Sequence, residues 1–242
     1  MPFDINGEVL TNLEIKTFNE NNIVRNGLVL HLDAGNSVSY PGTGTTWTDL
    51  SGNGNNGILT NGPVFNIENG GTIVFDGSND YVTVPYSSNW NFGTGEFALD
   101  IWVNVTSLSP FYQGMLGTFP SKWPASNWLV MTSTSSNAIR LYTFDGTTEG
   151  GVSNPGVVNG WMHGVITRVS NTVTLYVNGV AVDSSDFTGK AVNDSGNPLL
   201  IGNAGGTYAN MKMAIVKIYK GVGLSASQVL QNYNANRRRF KI

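Results

Sequence analysis

FALDIWVNV, residues 97–105, alternates its side chains with a period of two. Phe97, Leu99, Ile101, Val103 and Val105 fall on one side of an extended chain, and Ala98, Asp100, Trp102 and Asn104 on the other. Alternation of this kind specifies a β-strand, and the all-apolar side is predicted to face a core. Outward from it, TVTLYV and VAV flank Asn178-Gly179, a dipeptide suited to a two-residue hairpin turn with both central residues left-handed. Further strands are expected at Leu28–Asp33, Thr72–Asp76, Tyr81–Val84, Trp128–Thr132, Ala138–Phe144, Trp161–Val169, Leu199–Gly202 and Met211–Tyr219. One segment breaks the pattern. In Ser225–Ala235, Ser225 and Gln228 form a capping-box pair, and Ala226, Val229, Leu230 and Tyr233 make an apolar stripe at helical spacing.

Composition agrees with a single all-β domain. The 242 residues are 40% hydrophobic and only 12% charged, which leaves ample apolar surface for a core, and the 30 glycines suit a chain with many tight turns. A net charge of −3 supplies no basic field for nucleic acid. There is no cysteine, and a domain of this size can fold without disulfides, so export is neither implied nor excluded. MPFDINGEVL lacks the basic start and apolar run of a signal peptide, and no stretch is long and apolar enough to be a membrane span.

The two ends differ from the middle. Residues 1–26, with Glu8 and Glu14 among their four acids, read as an extended N-terminal arm. Residues 27–236 read as the sandwich with its terminal helix at 225–235, and residues 237–242 as a basic tail carrying Arg237, Arg238, Arg239 and Lys241. The ends are opposite in charge and could pair within or between subunits.

In order along the chain, LVLHLDA, WTDLSGNGNNG, VFDGSNDYVTVP, FALDIWV, WMHGVITRVSNTVTLYVNGVAV and MAIVKIYKGVGLSASQVLQNYNA resemble the laminin-G-like group of the concanavalin-A-like lectin and glucanase superfamily. The resemblance runs from about Asn26 to Phe240. It implies an all-β, two-sheet antiparallel jelly-roll sandwich whose rim loops commonly hold calcium or ligands. The closing segment also resembles the terminus of such domains in tailed-phage structural proteins, whose N-terminal arms fasten the domain to the particle.

Four kinds of site were weighed. Gly52–Gly57 matches the spacing of a dinucleotide-binding loop, but Gly62 and Pro63 follow where a helix should run, so the glycines are read as a turn. Glycosidases of the superfamily set acids at alternate positions on one strand, whereas here Glu96 and Asp100 are the nearest approach and no acid follows. With His31 and His163 as the only histidines, zinc lacks ligands, and both are read as packed or hydrogen-bonded. Calcium is the one metal with oxygen donors at hand, at Asp49, Asp76 and Asp80, although Asp and Asn are also ordinary turn residues. The segment 111–128 concentrates aromatics amid Pro and Gly, and Phe111, Tyr112, Phe119 and Trp123 are the candidate platform for a sugar ring or a protein partner.

The leading expectation is a non-enzymatic virion protein, an accessory capsid, vertex or tail component made in the host cytoplasm. Arm and tail would bind other virion proteins or further copies of the chain, with a host-surface glycan as a further partner and no nucleic acid or membrane insertion. The alternative is a carbohydrate-binding domain that uses its rim loops, and a weaker one is a glycoside hydrolase. No cofactor is required by any of these readings, and calcium is possible.

Overall fold

The computed structural model describes residues 22–107, 112–118, 127–133, 138–144, 149–154, 160–193, 196–204 and 206–242. Two antiparallel sheets of eight strands stack face to face. The front sheet runs, in spatial order, Val180–Asp186 (β14), Thr172–Val177 (β13), Trp161–Val169 (β12), Phe97–Val105 (β7), Asn210–Lys220 (β18), Thr72–Asp76 (β5) and Val64–Asn66 (β4). Leu28–Asp33 (β1) pairs with the second half of β18, beyond the stretch that β5 occupies. The back sheet runs Glu149–Asn154 (β11), Ala138–Phe144 (β10), Asn127–Ser133 (β9), Tyr112–Gly117 (β8), Leu199–Ile201 (β15), Tyr81–Val84 (β6), Gly57–Thr60 (β3) and Thr46–Trp47 (β2). A small ribbon of Asn203–Ala204 (β16) and Thr207–Tyr208 (β17) lies beside them.

The alternation in FALDIWVNV is realised. Phe97, Leu99, Ile101, Val103 and Val105 enter one continuous apolar core with Trp47, Phe75, Trp90, Trp128 and Leu175. Asn178 (φ 50°) and Gly179 (φ 81°) form the expected turn, with Val177 opposite Val180. Among the described residues, seven strands escaped the sequence reading: β2, β3, β4, β8, β11, β16 and β17. β2, β4, β16 and β17 are only two or three residues long, and β3 (GILT), β8 (YQGMLG) and β11 (EGGVSN) contain glycine, which weakens a strand signal because it contributes no side chain to a face.

The helix α1 spans Ala226–Phe240. Its capping box is present: the Ser225 side chain accepts from the Gln228 amide, and Gln228 Oε1 accepts from the Ser225 amide at 2.9 Å. It continues past the expected end at Ala235, so Arg237, Arg238 and Arg239 form its last turn, where cations favour the helix dipole. Its buried face keeps Val229 of the expected stripe, with Tyr233 half-buried on Trp102, but departs from it otherwise. Val229, Asn232, Ala235, Asn236 and Phe240 are buried, while Ala226 and Leu230 are exposed. The reason is polar: Asn232 is turned inward to hydrogen-bond a buried carboxylate. No helix among the described residues is long and apolar enough to cross a membrane.

Candidate functional site

A sandwich has two outer faces, and here their chemistry differs. On the front sheet, α1 lies over Asp100, Trp102, His163, Lys217 and Tyr219, all 0% exposed. Asp100 is the hub. Its Oδ1 is 2.8 Å from Lys217 Nζ and its Oδ2 accepts from Asn232 Nδ2 at 2.8 Å. Burial alone would raise the Asp100 pKa, but Lys217 and His163 outweigh it and hold the carboxyl far below the ordinary range. His163 Nε2 lies 3.1 Å from Asp100 Oδ1 but off the line of a hydrogen bond, and neither ring nitrogen has an aligned partner. Its ring stacks on Trp102 at 4.8 Å, and Trp102 stacks in turn on Phe240 at 4.3 Å. Burial lowers the pKa of His163, and burial with Lys217 pushes His31 down to about 4. Arg239 closes the far end: it donates to Asp33 Oδ1 at 2.7 Å and to the carbonyls of Asn69 and Gly71.

This arrangement accounts for both carboxylates nearest a glycosidase motif. Asp100 is sealed beneath the helix, and Glu96 accepts from the amides of Ser170 (3.0 Å) and Gly223 (3.2 Å), which lower its pKa. Both carboxylates are thus engaged within the scaffold, Asp100 by Lys217 and Asn232 and Glu96 by two backbone amides.

The calcium candidates are separated. Asp49 Oδ1 accepts from the amides of His31 and Ser51, and Oδ2 from Ser51 Oγ and the Asn55 amide, so a cation there would have to displace four donors. Asp76 Oδ1 accepts from Ser78 and Asn79, with the Ser78 amide the main cause of its lowered pKa. Asp80, raised by burial, accepts from the Asp76 amide. The Asp49 loop hangs on β1 at His31, opposite Lys217, whereas Asp76 pairs with Asn210. That is seven positions along β18, or roughly 20 Å. No group of three or more acidic or histidine ligands occurs among the described residues.

On the back sheet the outer face is aromatic and charged. Leu129, Met131 and Tyr142 form an apolar floor separate from the main core, with Phe144 packed against it. Tyr142, which is buried, sits between Leu129 on β9 and Gly151 on β11, and Gly151 brings no side chain opposite it. Its hydroxyl donates to Glu149 Oε1 at 2.9 Å, and the Arg140 guanidinium lies 5.7 Å from its ring centre. Burial and Glu149 raise the Tyr142 pKa, keeping the hydroxyl a donor. The Arg140 side chain makes no hydrogen bond or ion pair among the described residues. Tyr112 stands 43% exposed at the start of β8, opposite Ser133.

Of the four aromatics expected to form a platform, Tyr112 is thus on this face; Phe111, Phe119 and Trp123 lie outside the described residues, as do Glu8 and Glu14. Arg140, Tyr142 and Glu149 were missed. AIRLYTF held the signal, since Arg140, Tyr142 and Phe144 alternate with core residues Ile139 and Leu141. Arg237, Arg238 and Lys241 are exposed, but Arg239 is committed to the sandwich.

The sequence profile of the concanavalin A-like lectin/glucanases superfamily matches residues 76–230. No curated protein matches the chain in sequence. Among solved structures, it is similar to the binding domain of Paraclostridial Mosquitocidal Protein 1, with 18% identity, TM-score 0.68, and 87% of this chain against 52% of that one. It is similar to the botulinum neurotoxin serotype D ligand binding domain in complex with N-acetylneuraminic acid, with 14% identity, TM-score 0.68, and 91% against 52%. It is also similar to domain 4 of AbnA, an extracellular arabinanase from Geobacillus stearothermophilus, in complex with arabinotriose, with 18% identity, TM-score 0.64, and 85% against 98%. The chain therefore spans about half of the toxin domains and nearly all of the arabinanase domain.

Proposed function

We propose that this chain, which belongs to the concanavalin A-like lectin/glucanases superfamily, is a non-catalytic carbohydrate-binding module whose sugar site is the outer face of the back sheet. The observation that carries this reading is the outer face of β8, β10 and β11, where exposed Tyr112 and Glu149 and half-buried Arg140 surround the buried Tyr142 ring. Aromatic rings offer a flat apolar surface to the C–H face of a sugar, while a guanidinium, a carboxylate and a phenol offer donors and acceptors to its hydroxyls. Of the similar structures named above, one is a toxin binding domain, one a ligand binding domain in complex with N-acetylneuraminic acid and one a domain in complex with arabinotriose, which supports recognition over assembly into a virion. The sealing of Asp100 and the tying of Glu96 support the absence of glycoside hydrolysis. Assembly into a particle would have to rely on the exposed Arg237, Arg238 and Lys241 and on residues 1–21.

The test is calorimetric titration of the full chain with a panel of oligosaccharides, arabinotriose and sialylated glycans included, alongside an assay for reducing ends. Saturable binding without turnover is expected. No binding across the panel would contradict the sugar site, and release of reducing ends would contradict the non-catalytic reading.

A further inference from the structure

Lys217, Asp100 and Asn232 are each 0% exposed, and they come from three elements: β18, β7 and α1. One carboxylate joins the other two. Lys217 Nζ is 2.8 Å from Asp100 Oδ1, and Asn232 Nδ2 donates to Asp100 Oδ2 at 2.8 Å. The carboxamide is held on all sides. Nδ2 also donates to the Tyr219 hydroxyl at 2.9 Å, and Oδ1 accepts from the Val24 amide at 2.9 Å. An amine and an amide bonded to the two oxygens of one carboxylate stand roughly 4–6 Å apart, so a small swing of the lysine tip reaches the amide carbon.

We propose that Lys217 and Asn232 become joined by an intramolecular isopeptide bond, with Asp100 as the proton carrier. Lys217 Nζ gives a proton to Asp100 and the neutral amine attacks Asn232 Cγ. The charge that develops on Oδ1 falls on the Val24 N–H, which is already aimed at it and costs no reorganisation. Asp100 returns its proton to Nδ2, the Cγ–Nδ2 bond breaks, and the second proton on the attacking Nζ passes to the departing ammonia, which leaves the new Nζ–Cγ amide. A lysine ammonium and a carboxamide enter; a secondary amide and an ammonium ion leave, and Asp100 ends as the carboxylate it began as. No oxidant or cofactor is needed. The dry interior favours the chemistry, because no water competes for the amide carbon. The bond would fix α1 covalently to the centre of the front sheet.

The intact mass of the purified full chain under denaturing conditions reads this directly. The expected result is a chain lighter by one ammonia, with a tryptic fragment in which cleavage after Lys217 is blocked and the Lys217 and Asn232 peptides travel together. The cross-link must survive hydroxylamine, because a succinimide at Asn178-Gly179 also loses ammonia but is opened by that reagent. The full calculated mass overturns the proposal. So does ammonia loss that maps to a succinimide, and so does loss of one water with Lys217 joined to Asp100. An Asn232→Ala chain should recover as an uncross-linked species; because that chain could fail to fold, the decisive reading is the mass of the unaltered protein.

Discussion

The two outer faces of this sandwich are built from strands of the same kind, yet one is closed and the other carries the candidate site. On the front sheet, charge lies at the centre: Asp100 and Lys217 sit in mid-strand, and leaving them open would have cost less than burying them. They are covered because α1 brings its own polar group, Asn232, and a stack of rings ending in Phe240. On the back sheet the middle is apolar, with Leu129 and Met131, and the polar groups Arg140 and Glu149 stand at the margin. The difference teaches that buried charge marks scaffold here, whereas the marginal charge beside an aromatic is left for the proposed binding site. In the sequence, Asp100 is only the nearest approach to an incomplete glycosidase motif.

The largest test of this contrast lies under the helix. Asp100→Ala leaves Lys217 buried without a counter-charge and should lower stability by about 3–5 kcal/mol in denaturant unfolding. Phe240→Ala removes the ring stacked on Trp102 and should cost about 3–5 kcal/mol by the same measurement. A small loss in either would mean that α1 is an ornament on the sheet rather than part of its core.

Acid should strike the same face. His31 is held neutral in the folded chain, its pKa lowered from 6.5 to about 4 by burial and by Lys217. The unfolded chain therefore takes up the proton first. The stability associated with a neutral His31 is full above pH 6.5 and declines as pH falls from there toward 4, a loss on the order of 3 kcal/mol by the lower value. His163, lowered by burial, acts in the same direction. Asp100 adds a further loss at lower pH, because its depressed pKa contributes stability only above the unfolded carboxylate range. A thermal midpoint that stays flat from pH 7 to pH 4 would break this account of the closed face.

Smaller effects are expected elsewhere. Arg239→Ala gives up an ion pair and two carbonyl contacts at the end of the helix and should cost about 1–3 kcal/mol. On the outer face of the back sheet, Arg140→Ala and Tyr112→Ala should leave the unfolding midpoint nearly unchanged while each weakens sugar binding by about 1–3 kcal/mol. Loss of fold in either variant would move those residues from recognition to scaffold.

The fold was largely legible because its strands alternate cleanly: FALDIWVNV, the hairpin around Asn178-Gly179 and the capping box at Ser225 each appear where the pattern places them. Elements carried by glycine or asparagine were harder to read. Asn232 and Asn236 look like a helix losing its apolar stripe, yet both are buried, one of them to meet Asp100. The site was less legible for a related reason. Tyr112 could be picked from an aromatic-rich segment, but Arg140, Tyr142 and Glu149 come together only through the β10–β11 pairing, and β11 (EGGVSN) gives almost no strand signal of its own.

Amide chemical shifts of the full chain, followed during titration with arabinotriose and with a sialylated oligosaccharide, test the central claim most directly. The account predicts that at least one ligand perturbs the amides around Tyr112, Arg140, Tyr142 and Glu149 and leaves those of the Asp49 and Asp76–Asp80 loops and of α1 in place. Saturable shifts confined to those loops or to α1, with β8–β11 unmoved, would contradict it.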